Sequence, residues 1–288
     1  MEESRLILGN GSDEIIDLLI RSLCQPREDN LIVFSPGYSM YEVCGAINDV
    51  EIRKINLQTD LQPDWREVER QSDASTKLIF LCTPNNPLGN VIPLAEIEKI
   101  CEKFMGLVVV DEAYIDFTEF PSALTLLRRH ENLFVLQTLS KAWGMAGLRL
   151  GIGYGTPALI GILNRVKAPY NISVLTQRTV LDVLEQREEF QEKLRVIKKE
   201  RERLFRAFVQ LDIFRSVFPS EANFILVTLD DFRELYDFLV QQKMVVRLRN
   251  IPPLVEGGLR ISIGVPEEND RLLALLAEWK SEKKTEVC

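Results

Sequence analysis

The chain has a single histidine, His130, and only five cysteines in 288 residues. Cys24, Cys44, Cys82, Cys101 and Cys288 are scattered and form no C-x-x-C pair, so the donor clusters that zinc sites need are missing and no metal is expected. The thiols read as free, as in a reduced cytosolic protein. No apolar run approaches the roughly 20 residues that span a bilayer. The start, MEESRLILGNG, lacks a basic flank followed by an apolar core, so no secretory signal is visible. The expected location is the cytoplasm, with no membrane partner. A basic excess is also missing: 35 Lys and Arg face 43 Asp and Glu, a net charge of −8. That balance argues against a general nucleic-acid binder, which needs a basic face, and leaves room for a local basic pocket. There is no internal repeat and no low-complexity stretch.

What is present is an ordinary globular composition, long enough for one large or two modest domains. In the first two-thirds, short unbroken apolar runs alternate with amphipathic helical patterns. The runs are Leu31–Phe34, Lys77–Cys82, Leu107–Asp111, Leu133–Thr138 and Leu150–Tyr154. Such runs suit strands covered on both faces. Helices are expected at Ser12–Leu23, with Ser or Asp as N-cap, and at Leu94–Phe104 and Ser122–Arg129. The fold class is therefore α/β, a mostly parallel sheet sandwiched by helices, with a smaller α+β domain after it. In that second part, Leu184–Leu211 reads as one long charged helix with a solvated face. Strands follow at Asn223–Leu229, Val245–Arg249 and Leu259–Gly264, a helix near Asp231–Gln242, and a last helix from Glu267. Gly257-Gly258 reads as a hairpin turn. The expected division is 1–175 and 176–288, at the Pro169–Thr176 interruption.

Ligands bind beyond the carboxyl ends of the strands in open α/β sheets. Four such ends carry chemistry. Ser35, Pro36, Gly37 and Tyr38 follow one, Asn85 and Asn86 another, Asp111, Glu112 and Tyr114 a third, and Ser140 and Lys141, then Arg149, the fourth. LGNGSDE is a glycine turn opening a helix, where free N–H groups suit a phosphate. Asp111 ends an apolar strand and needs a partner there. Lys141 near cations would lose its proton readily and attack aldehydes. Arg149 and Arg260, each beside an apolar segment, suit anionic partners. A lysine for a Schiff base, an aspartate for a pyridinium nitrogen and a helix start with arginine for phosphate together describe pyridoxal phosphate.

The segments GNGSDEII, PGYSMY, CTPNNPLGN, VVVDEAY, TLSKAWGMAGLRLG, ANFILV, VVRLRN and GLRISIGVPEEND stand in this order. With them the sequence closely resembles histidinol-phosphate aminotransferases, members of the fold-type I pyridoxal-phosphate enzymes. The resemblance runs over nearly the whole chain. It implies that Lys141 carries pyridoxal 5'-phosphate, that Asp111 pairs with the pyridine nitrogen, and that Asn86 and Tyr114 bind the ring's phenolic oxygen. It implies that Tyr38 stacks on the ring and that Ser12, Asp13, Ser140 and Arg149 hold the phosphate. Arg247 and Arg260 would read the substrate's anionic group. The implied reaction moves an amino group between histidinol phosphate and the glutamate/2-oxoglutarate pair, in histidine synthesis, in a cytoplasmic homodimer. A threonine-phosphate decarboxylase-like enzyme and an aromatic-amino-acid aminotransferase share the lysine, aspartate and phosphate sites. A truncated, catalytically weak cofactor binder is a further alternative. Two departures from the family stand out. Leu88 replaces the usual threonine of the NPxG loop, putting a local hydrogen bond in doubt. The family's segment ahead of the glycine turn has no counterpart here, so Met1 is expected to be a late start, with weaker cofactor retention and an impaired dimer.

Overall fold

The computed structural model describes residues 2–286; Cys288, one of the five thiols, lies outside them. Its elements in chain order are β1 (Leu6–Asn10), α1 (Ser12–Leu23), β2 (Asn30–Ser35), α2 (Met40–Ile47), β3 (Glu51–Asn56), α3 (Trp65–Gln71), β4 (Thr76–Cys82), α4 (Leu94–Lys103), β5 (Leu107–Asp111), β6 (Leu133–Thr138), β7 (Leu150–Tyr154) and α5 (Pro157–Val166). Then come α6 (Val174–Leu184), α7 (Arg187–Leu211), β8 (Ser216–Val217), β9 (Phe224–Thr228), α8 (Phe232–Gln241), β10 (Arg247–Ile251), β11 (Val255–Ser262) and α9 (Pro266–Glu286).

The first seven strands form one sheet in the order β1-β7-β6-β5-β4-β2-β3. Strands β3, β2, β4, β5 and β6 run parallel, and β7 runs antiparallel to both β6 and β1. Successive side chains point to opposite faces, and each face is covered. Leu78 and Phe80 pack with α1, α2 and α5, through Ile16, Tyr41 and Leu163. Ile79 and Leu81 pack with α3 and α4, through Val68, Ile97 and Ile100. This is why those strands read as unbroken apolar runs. The last four strands form an antiparallel sheet, β10-β11-β9-β8. Leu204 and Phe208 of α7, Leu235 and Leu239 of α8, and Leu276 and Trp279 of α9 pack against it.

The α/β reading holds, with local corrections. The sheet gains an edge strand, β3, whose charged sequence EIRKIN hides it from an apolar search. Ser122–Arg129 is not an α-helix but a short 3-10 turn at Ala123–Leu126. The long helix expected over Leu184–Leu211 is α7, starting three residues later at Arg187, with α6 an unmarked helix before it, and its charged face is not wholly solvated. Glu200 is 5% exposed and Arg201 donates to the Phe117 and Ala222 carbonyls at 3.0 and 3.1 Å. The hairpin turn lies not at Gly257-Gly258 but between Ile251 and Val255. Gly257 sits within β11 at φ +67, where a Cβ would lie 2.3 Å from the Leu229 carbonyl oxygen.

The two sheets meet at the loop after β4. Asn85 Oδ1 accepts from Leu88 N at 3.2 Å, and the Gly89 carbonyl accepts from Glu221 N at 2.8 Å. Leu88 is fully buried in the core, so the loop closes without a hydroxyl at that position.

Candidate active site

Five chain segments converge on a cavity of about 100 Å³ beyond the carboxyl ends of β4, β5 and β6. Ser12, Asp13, Tyr38, Asn86, Asp111, Tyr114, Ser140, Lys141 and Arg149 all line it. A larger cavity of about 860 Å³ lies along edge strand β1 and carries none of these groups. Chemistry, not size, marks the smaller one.

The glycine turn places the first wall. The expected side-chain cap at Ser12 or Asp13 is absent: Gly11 is the N-cap, no side chain satisfies the helix start, and Ser12 is already helical. The amide groups and dipole of α1 are therefore left to an incoming anion. Arg149, itself left-handed at φ 55, closes over this point. Gly11 sits at φ +80, where other residues are strained, and a Cβ there would come within 2.5 Å of Arg149 Nη2 and displace the guanidinium. Arg149 Nη2 lies 3.5 Å from Asp13 Oδ2, a long contact. Ser140 Oγ accepts from Thr138 Oγ1 at 3.0 Å.

Asp111 closes the floor. It is 2% exposed, and Tyr41 Oη and Ala113 N donate to its two oxygens at 2.6 and 3.0 Å. It has no ion pair among the described residues. Burial pushes its carboxyl above the usual range, while the Tyr41 and Ala113 bonds and the Lys141 charge pull it back. A buried carboxylate with free lone pairs and no cation is suited to a ligand bearing a protonated nitrogen. Glu112, which the sequence placed beside it, points away. It accepts from Ser122 Oγ at 2.6 Å, Ala123 N at 2.6 Å and Gln137 Nε2 at 2.9 Å, and ties β5 to β6 and the turn at 122–126.

Lys141 stands at the mouth, its Nζ 5.6 Å from the centre of the Tyr114 ring. Desolvation first, then the Arg260 charge, lowers its amine below the ordinary value, against opposing pull from Asp111 and Asp13. The lowering makes its neutral, nucleophilic form easier to reach. Tyr114 is buried edge-on to Phe224 at 5.2 Å, and burial raises its phenol. The Tyr38 phenol donates to Asp13 Oδ1 at 2.9 Å and is likewise raised by burial.

The second sheet reaches the site through Asn86, while Arg260, a predicted site residue, lies outside the cavity lining itself. Arg260 Nη1 donates to Asn86 Oδ1 at 2.6 Å, leaving the Asn86 amide nitrogen free to donate. The Arg260 guanidinium carbon sits 4.9 Å above the Phe224 ring, and its buried Nε has no partner. Arg247 pairs with Arg260 in the β10–β11 register but is exposed, outside the cavity lining. Sequence reasoning missed two residues. Tyr41 is one, since nothing in PGYSMY signals its bond to a carboxylate 70 positions away. Arg249 is the other: two residues from Arg247 on one strand face, it acts on both Tyr114 and Arg260. The alternation of β10 in VVRLRN was the available signal.

The donor set fits pyridoxal 5'-phosphate: a lysine whose amine is held below its ordinary basicity, a buried carboxylate without an ion pair, and an uncapped helix start beside an arginine. No group of three or more His, Cys, Asp or Glu among the described residues could hold a metal ion. No helix among them is long and apolar enough to cross a membrane.

Comparison with known proteins agrees with this geometry. The profile of the family described as aminotransferase class I and II matches residues 1–276. The chain is 45% identical to a histidinol-phosphate aminotransferase of Flavobacterium johnsoniae over 93% of its length and 77% of the relative's. It is also 45% identical to one of Parabacteroides distasonis, over 97% of this chain and 81% of the relative. The solved histidinol-phosphate aminotransferase of Clostridium acetobutylicum superposes with a TM-score of 0.87 at 26% identity, covering 96% of this chain and 84% of that one.

Proposed function

The chain belongs to the class I and II aminotransferases, and from that premise we propose that it transfers the amino group of histidinol phosphate to 2-oxoglutarate, in histidine synthesis, with pyridoxal 5'-phosphate as cofactor. The observation that carries the proposal is the Lys141 amine, held toward its neutral form, in one cavity with the buried, cation-free Asp111. The 45% identity to two named relatives, over more than three-quarters of each, supports the substrate.

When bound, pyridoxal 5'-phosphate supplies an aldehyde that condenses reversibly with amines and a ring that draws electron density from the carbon so linked. The residues of the chain do the rest. Asp111 offers negative charge to hold a proton on the ring nitrogen. Asn86, its Oδ1 engaged by Arg260, and Tyr114 offer donors to the ring oxygen. Tyr38 covers a ring face. The α1 start at Ser12 and Asp13, with Ser140 and Arg149, holds the phosphate. Lys141 Nζ would take the proton from the amine-bearing carbon of the substrate and return it two atoms away, to the carbon on the other side of the nitrogen, as base and then acid. Arg260, with Arg247 at the rim, reads the anionic end. Guanidinium forks accept phosphate and carboxylate alike, so one pocket can serve histidinol phosphate and glutamate in turn.

Residues 1–175 form the cofactor-binding part in this reading and 176–288 the smaller part. A cytoplasmic homodimer fits it. The exposed apolar side chains Tyr170, Leu175 and Leu181, at 98%, 77% and 64% exposure, are the kind of surface that a second subunit covers.

Borohydride reduction of the cofactor-loaded protein, followed by peptide mapping, tests the core of the proposal. The expected label is on Lys141, with none in Lys141→Ala; a label elsewhere, or none, overturns it. A single turnover with histidinol phosphate should then yield the oxo product. Release of carbon dioxide from phosphothreonine instead would favour a decarboxylase.

A further inference from the structure

We propose that Tyr41 is a positioning residue for Asp111, whose phenol fixes the carboxylate and limits its basicity so that the proton of a bound ring nitrogen stays on the ring. The inference rests on the reading of Asp111 given under the proposed function and adds to it a residue of the PGYSMY segment to which the resemblance gives no role.

Tyr41 is the second residue of α2 and is 3% exposed. Its ring is stacked on Phe80 of β4, 4.6 Å between centres and 12° between planes, and meets Tyr38 edge-on at 5.5 Å. Held on two sides, the phenol has one strong acceptor, Asp111 Oδ2 at 2.6 Å. Ala113 N takes the other oxygen. Each oxygen keeps a lone pair for the ligand, and the carboxylate cannot rotate without losing a buried bond. A donor to a carboxylate also withdraws charge from it and makes it a weaker base.

The groups that face Asp111 come from every neighbouring element. Asp13 is on α1, Tyr38 on the loop before α2, Cys82 at the end of β4, Glu112 and Tyr114 just after β5, and Lys141 after β6. Asp13 opposes the carboxylate charge and Lys141 favours it. Among side chains of the described residues, only Tyr41 donates a hydrogen bond to it. Burial also keeps the Tyr41 phenol from ionising, so it remains a donor across the working range.

Tyr41→Phe keeps both ring contacts and removes only the O–H. The loaded protein is titrated by its visible absorption against pH, and cofactor affinity of the apoprotein is measured by quenching of tryptophan fluorescence. Without the phenol, Asp111 becomes more basic and draws the proton off the ring, and the cofactor-linked nitrogen becomes more basic. The midpoint of the absorption band should rise by about half a pH unit or more, with affinity weakened roughly three- to tenfold. A packing role alone would weaken affinity and leave the midpoint unmoved, which overturns the inference. Should Tyr41→Phe not fold, Phe80→Leu, which frees the phenol to drift, should move the midpoint the same way by less; an unmoved midpoint there also overturns it. Wild-type protein that develops no visible band refutes the proposed function itself, a separate outcome.

Discussion

Arg260→Gln is the most informative single change at the site, because Arg260 acts in three ways that fail differently. Its Nη1 orients Asn86 at 2.6 Å, its charge depresses the Lys141 amine, and its unpartnered, buried Nε lies where an anion would arrive. Truncating one partner of a buried charged pair costs about 2–5 kcal/mol, and a hydrogen bond to a charged group contributes about 1.5–3 kcal/mol. The two overlap in one guanidinium, so about 3 kcal/mol is the working figure, on the order of a 150-fold loss in kcat/KM for histidinol phosphate. The loss of anion binding falls on KM, and the part that comes through Asn86 falls on kcat. The substrate without its phosphate should be affected far less, because the missing guanidinium then has no anion to miss. The pH profile gives a second reading. Arg260 lowers the Lys141 pKa, so its removal raises that pKa. Neutral Lys141 is the base, so the acid limb of the rate profile moves to higher pH. Steady-state kinetics with both substrates over pH measures all of this. A loss below about fivefold with an unmoved acid limb, in a protein that melts normally, would refute the reasoning.

Arg249→Ala should raise KM for the phosphorylated substrate about five- to tenfold, a loss of roughly 1 kcal/mol as expected of a half-exposed cation, and leave the cofactor band unchanged. Glu112→Ala strands Ser122, Ala123 and Gln137 and should cost about 2–4 kcal/mol by denaturant unfolding. Because burial raises the folded pKa of Glu112, its contribution is full below its unfolded value and fades as pH rises through the folded one. The penalty should therefore be larger in acid than at pH 8; the opposite trend would contradict the assignment. Arg201→Met leaves the Phe117 and Ala222 carbonyls unpaired and should lower Tm by roughly 8 °C, seen by calorimetry. The Asp73 carboxyl is held down at about 2, first by its hydrogen bond with Arg53, so its contribution is present above the ordinary value and lost as pH falls toward 2; Asp73→Asn should flatten that acid limb of the stability curve.

The strands were legible because both sheet faces are covered, which forces unbroken apolar sequence. Leu107–Asp111, Leu133–Thr138 and Leu150–Tyr154 needed no adjustment. β3 escaped because an edge strand has a neighbour on one side only, and Arg53 and Lys54 can reach water or carboxylates. The long charged helix was legible to within three residues of its start, whereas α6, just before it, was not marked. The glycine pair at 257–258 looked like a turn because glycine has two uses: there it relieves a strand-to-strand approach, and the turn falls to Pro252-Pro253. At the site, Asp111, Lys141 and Asn86 were legible because strand ends in an open sheet are where chemistry collects. Tyr41 was not, because its worth depends on a carboxylate 70 positions away; outside the site, Arg201 was illegible for the same reason, its partners being distant backbone carbonyls.

The charge layout makes one further sense of the architecture. The chain carries −8 overall, yet its cavity sets Lys141 and Arg149 beside two carboxylates, Asp13 and Asp111, with Arg260 reaching the lining residue Asn86 from the second sheet and Arg247 and Arg249 on the strand beside it. Asp111 is buried under the others, so an approaching anion meets mainly cations in a setting that repels it elsewhere. A cleft of one sign with low-dielectric walls concentrates the opposite ion and speeds its capture. The cations come from different places. Lys141 and Arg149 lie on the connection between β6 and β7 of the first sheet, and Arg247, Arg249 and Arg260 on strands of the second. The loop at 85–89 fixes the distance between them, through Asn86 to Arg260 on one side and Gly89 to Glu221 on the other. Any movement of the second sheet relative to the first must therefore be felt at Asn86, which couples the reading of the substrate's anionic end to the orientation of the amide beside the reacting group.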